Sequence, residues 1–204
     1  KYTEHLSSGK SIPIVYDTWI SSFQSIVSPD SQINVSRSLT KLKSIFITLD
    51  KNFGVGTARE TYFNKSYNNF YSPMAVNQIT NALDHVQANE IESLQVQIGS
   101  MQLPQYPVQS HAECFYMLKK AMGYHVSDIH SIDITGVEYR NNKFIIGIDT
   151  ERLLGVSFSG TNTKNALMTI KLKTGEVNKA DRINIVLASQ QVVEINSTGI
   201  EIFD

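Results

Sequence analysis

The chain has 204 residues, 41% of them apolar and 18% charged, with a formal net charge of −1. That size fits one large β domain or two small ones. The absence of a basic excess argues against direct nucleic-acid binding, because phosphate contacts need Lys and Arg. The single cysteine, Cys114, excludes an internal disulfide, and the apolar runs are too short for a membrane span.

Residues 1–10 are polar and read as an arm or linker, with a single domain expected over 11–204. The chain starts with Lys1 and not Met, so a trimmed, cleaved or partial product is expected. Residues 12–27 are rich in β-branched and aromatic side chains (Ile14, Val15, Tyr16, Thr18, Trp19, Ile20) and predict a strand, with a turn at Ser28-Pro29-Asp30-Ser31. Ile45, Ile47 and Leu49 sit at alternate positions, with Ser44 and Thr48 among the residues that alternate with them, the period of a half-buried strand. Residues 50–90 lose that alternation and predict a long loop, of the kind usually given to contacts or function. Within it lies an aromatic patch: Tyr62, Phe63, Tyr67, Phe70 and Tyr71. Packing ranks first as its role, subunit contact second and ligand stacking third. Only Arg59 and Lys65 are near, too few for a nucleic-acid platform.

Leu94, Val96 and Ile98 alternate with Gln95 and Gln97, and Pro104 and Pro107 hold the next stretch extended. Ser110-His111-Ala112-Glu113 has the form of a capping box and predicts a helix over 110–122, with Phe115, Leu118 and Met122 on one face and Gly123 as its stop. Alternation then returns in Phe144/Ile146/Ile148, Met168/Ile170/Leu172, Ile183/Ile185/Leu187, Val193/Ile195 and Ile200/Ile202, with a tight turn over 196–199. About eight strands and one helix, not interleaved, predict a mostly-β antiparallel sandwich.

Sites of chemistry are sparse. His111-Ala112-Glu113 has the H-x-E form of a zinc deaminase, but the two cysteine ligands are missing and Glu113 already serves the cap. His111, Cys114, His125 and His130 follow no common zinc spacing. Residues 155–160 resemble a nucleophile elbow only faintly, because a loop follows where a helix is required. Gly54-Val55-Gly56 lacks the third glycine of a dinucleotide loop, with Arg59 in its place, and Asp128 and Asp133 read as solvated carboxylates. The N-x-S/T matches at Asn34, Asn64 and Asn196 read as chance, given no signal peptide. No catalytic residue, metal or cofactor is expected.

Segments 34–49, 94–100, 106–108 with 110–116, 143–149, and 181–187 through 193–195 to 199–204 are similar to the double-jelly-roll major capsid proteins of eukaryotic DNA viruses, including virophage-like and Polinton-like elements. The resemblance spans roughly residues 12–204 and is strongest at the close: an apolar strand, a short Gly-containing turn and a last strand. It implies a jelly roll, the C-terminal one of two in such a chain. It further implies a non-enzymatic structural protein that forms trimeric capsomers of an icosahedral shell. Its partners would be copies of itself and other capsid proteins, in a virion assembled in the host cytoplasm or nucleus. The aromatic patch then becomes a candidate subunit-contact loop. The competing expectation is a β-sandwich recognition module for a glycan or a partner protein, using the same loop.

Overall fold

The computed structural model describes residues 6–50, 70, 72, 91–124, 132–141, 143–151, 160–174 and 180–203. These form strands β1 (Ile12–Ser25), β2 (Asp30–Val35), β3 (Leu42–Asp50), β4 (Ile91–Ile98), β5 (Met101–Val108), β6 (Ile146–Asp149), β7 (Met168–Thr174), β8 (Arg182–Asn196) and β9 (Gly199–Phe203), and helices α1 (His111–Ala121) and α2 (Gly136–Asn141).

Two antiparallel sheets face each other. Sheet A has the order β1-β8-β3-β6, with β9 also on β8; sheet B has the order β2-β7-β4-β5. Strand 1 pairs with 8, 2 with 7, 3 with 6 and 4 with 5. The chain is therefore one long hairpin, rolled until β8 also meets β3 and β7 also meets β4. That winding is a jelly roll. The predicted sandwich is present, with the last strand, β9, where it was expected and with β2 starting inside the expected 28–31 turn.

The alternating segments face inward as their period requires. Ile45, Ile47, Ile183, Ile185 and Leu187 of sheet A and Leu94, Val96, Met168, Ile170 and Leu172 of sheet B are all buried. Each such side chain contributes about 1.5–3 kcal/mol when fully buried. Gln95 is the polar exception in β4. Its amide donates to the carbonyls of Pro104 (3.1 Å) and Gln105 (3.2 Å), which β5 leaves available beside a bulge. β5 carries its prolines because it is an edge strand, where no second ladder needs their missing N–H.

α1 begins as expected: Ser110 Oγ accepts from Glu113 N at 3.2 Å. Glu113, however, accepts from the amide of Gln109 and not from that of Ser110. The C-terminus is a Schellman motif, with Tyr124 N donating to Lys119 O, Gly123 N donating to Lys120 O, and Gly123 at φ +75°. The buried face differs from expectation. Cys114 and Leu118 are inside, while Met122 is 44% exposed. β6 causes this rotation. Gly147 pairs with Phe46 on the outer side of sheet A, and a Cβ there would lie 3.0 Å from both Leu118 Cα and Ala121 Cβ. The helix sits directly on that gap.

α2 was not expected. Thr135 and Glu138 form a reciprocal capping box: Thr135 Oγ1 accepts from Glu138 N, and Glu138 Oε2 accepts from Thr135 N. β8 was expected as two strands and is one of 15 residues.

Candidate contact surfaces

Four of the five aromatic residues singled out by sequence, Tyr62, Phe63, Tyr67 and Tyr71, lie outside the described residues. Phe70 is half-buried and bridges in parallel to Lys143. Two residues on, Ser72 is buried with its Oγ 3.3 Å from His111 Nε2. This part of the segment is thus anchored beside the start of α1.

His111 packs edge-on against Phe144 (5.3 Å between centroids) and Tyr139 (6.0 Å), a structural role for the imidazole. Cys114 is fully buried beneath the helix. Burial, then the Glu113 charge, pushes its thiol up to about 12, which makes it a poor nucleophile and a poor ligand at neutral pH. Tyr139 is buried with its hydroxyl donated to Ile145 O at 2.7 Å, and burial, then Cys114, raises its pKa strongly. His125, His130, Asp128 and residues 152–159 of the elbow-like segment lie outside the described residues, as do Asn64, Gly54, Gly56, Arg59 and Lys65. Gly160 is explained by packing, since a Cβ there would meet the Lys41 backbone at 3.0 Å. Asp133 is exposed. Asn34 Oδ1 accepts from Thr169 Oγ1 at 3.0 Å. Asn196 Oδ1 accepts from the Thr198 and Gly199 amides, which shapes the β8–β9 turn. Among the described residues no group of three or more His, Cys, Asp or Glu is placed to hold a metal, and no helix is long and apolar enough to cross a membrane.

What the described surface does offer is apolar area on β1, β8 and β9. β8 outruns β3 and continues between β1 and β9 as a three-stranded ribbon. Register puts Ile12, Ile195 and Ile200 in one row and Ile14, Val193 and Ile202 in the next. Directly paired residues share a face. These six therefore continue the core face of sheet A past the end of the sandwich. Ile14 is 47% exposed, Ile200 68% and Ile202 63%. On the opposite face β1 presents Val15, Trp19 and Phe23, all exposed, at alternate pairs of positions along an edge strand. Contiguous apolar surface of this kind marks a contact site in a folded protein. Sequence reasoning saw these residues as strand formers. The tell was the excess of apolar residues on both faces of 12–23.

No family model and no curated protein matches the chain. Solved structures do. The chain is similar over 95% of its length to PBCV-1 VP54 as fitted into a cryo-EM reconstruction of the virophage Sputnik, at 9% identity with a TM-score of 0.58. It is similar over its whole length to a chain of the PBCV-1 virus capsid, at 11% identity with a TM-score of 0.56. What the chain shares with these capsid chains is the jelly-roll fold. The chain spans about half the length of those two chains (52% and 54%), and its described residues build one jelly roll.

Proposed function

We propose that this chain is a structural, non-enzymatic component of a viral shell: the C-terminal of two jelly rolls, associating with copies of itself into trimeric capsomers and with other capsid proteins in the virion, after assembly in the host cytoplasm or nucleus. The observation that carries this reading is the rolled-hairpin topology, shared with the PBCV-1 capsid chains. The chemistry agrees with it. Shell contacts need area and complementarity, and the ribbon supplies exposed branched aliphatics on a rigid sheet. The aromatic segment around Phe70 remains a proposed second contact.

The test is light scattering on the full chain across concentration and salt, followed by electron microscopy of large species. Trimers or closed shells are expected. Ile200→Lys with Ile202→Lys should lower association while leaving the circular dichroism spectrum unchanged, because both positions are exposed in the isolated fold. A wild-type monomer under all conditions refutes the shell reading and favours a recognition module.

A further inference from the structure

Four residues stand in register across the outer side of sheet A: Trp19 on β1, Ala188 on β8, Ser44 on β3 and Asp149 on β6. The two small side chains in the middle leave a trough between an indole and a carboxylate. Phe46 closes one side, its ring 5.7 Å from that of Trp19, and the last turn of α1 overhangs it. The pocket holds about 370 Å³, enough for a side chain or small ligand.

Asp149 leaves the trough chemically unfinished. Its side chain is 6% exposed. Oδ1 accepts from Glu151 N at 2.9 Å, whereas Oδ2 has no hydrogen-bond donor. The Lys120 ammonium pairs with Oδ2 as an ion at 3.8 Å, too far to donate a hydrogen bond. A buried carboxylate oxygen without a hydrogen bond is costly, so the site favours an incoming N–H that displaces the Lys120 ammonium and bonds Oδ2 directly. Charge selects a cation. Asp17, Asp149 and Glu151 face Lys43 and Lys120, and Lys43 is already shared between Asp17 (3.4 Å) and Glu151 (3.6 Å). The carbonyl end of α1 adds partial negative charge. Trp19 is 64% exposed and offers an indole face for a cation to stack on. A guanidinium meets all of these demands together. It is planar, it donates to a carboxylate through a fork, it stacks on indole, and its stem is apolar enough to lie along Ala188.

The geometry points to a pocket for the guanidinium of an arginine side chain, supplied by a second copy of this chain. The pocket stands on the residues above, and only the source of the arginine rests on the shell reading.

Trp19 is the only tryptophan in the chain, so the indole fluorescence of the whole protein reports on the trough. N-acetyl-arginine amide is titrated into the full chain and compared with the uncharged citrulline analogue and with methyl glucoside. A saturable change with the arginine compound is expected, at least about tenfold weaker for citrulline and for Asp149→Asn, as befits loss of a charge-assisted bond. A response that does not saturate, equal saturation by citrulline or the glucoside, or indifference to Asp149→Asn overturns the pocket. Light scattering decides the source. Reduced association in Asp149→Asn supports a second copy as donor, and arginine binding with unchanged association overturns it. A monomeric wild type that still binds the arginine compound removes the shell reading and the second-copy source while the pocket stands.

Discussion

Gly147→Ala tests whether helix α1 is seated by the absence of a side chain on β6. The added Cβ would lie 3.0 Å from Leu118 Cα, 3.0 Å from Ala121 Cβ and 3.1 Å from Leu118 Cδ1. Two of these atoms belong to rigid positions, so a rotamer change cannot relieve the contact and the helix must lift. Overpacking of this kind costs about 1–3 kcal/mol. Removing a glycine returns about 0.4–1 kcal/mol through the unfolded chain. The net expectation is roughly 1–2 kcal/mol of destabilisation, or about 2–8 °C in melting temperature for a chain of this size. Circular dichroism during thermal and urea unfolding measures it. A double-mutant cycle with Ala121→Gly isolates the cause: deleting that methyl removes one of the clashes, so the two substitutions should be less damaging together than their sum. Strict additivity, or a Gly147→Ala protein at least as stable as wild type, refutes the account of how α1 is placed.

Cys114 should resist a thiol reagent at pH 8 in the folded protein and react fully in urea. Its folded pKa, about 12, lies above the ordinary value of 9.0. The buried neutral thiol therefore stabilises fully below pH 9 and loses that contribution as pH rises towards 12, by at most about 1.4 kcal/mol per pH unit; Cys114→Ala should flatten this part of the stability profile. Glu138 behaves oppositely. Its carboxylate is held down to about 2 by the Thr135 amide first and by Lys143 next. Its contribution is present above about pH 4.5 and fades as pH falls through 2, so carboxyl NMR titration should show a low Glu138 pKa that rises in Lys143→Met. Thr135→Ala removes the α2 cap and should cost about 1 kcal/mol, read by urea unfolding. Gly123→Ala meets no atom within 4 Å yet forces a left-handed φ of +75° on alanine, so it should destabilise by about 1 kcal/mol without the coupling to Ala121 expected at Gly147.

The strands were legible wherever one face is dry and the other wet, because alternation records that contrast residue by residue. Ile45/Ile47/Leu49 and Met168/Ile170/Leu172 are the clearest cases. The start and stop of α1 were legible because Ser110 and Gly123 act locally. β8 was harder. Gln190 and Gln191 break its apolar run and read as an end, but the strand continues there, and Gln191 accepts from the Tyr16 hydroxyl at 2.8 Å across the ladder to β1. α2 carried a Thr-x-x-Glu signal, yet it is only six residues long and its first is a glycine. The trough had no sequence signal at all. Trp19 and Asp149 lie far apart in the chain, and only the register across four strands sets them in one row.

The rolled hairpin also fixes an order of events during synthesis. Within this jelly roll β1 is made before the other described strands, and its ladder partner among the described residues, β8, is next to last. Until then β1 is a 14-residue strand with apolar residues on both sides and no native neighbour in its sheet. Sheet A cannot close until β8 has been made. Long-range pairings of this type are slow to form and expose edges meanwhile. In a cell making many copies at once, the same edge that is harmless after folding is a template for pairing nascent chains with one another, so yield should depend on holding β1 apart until β8 arrives.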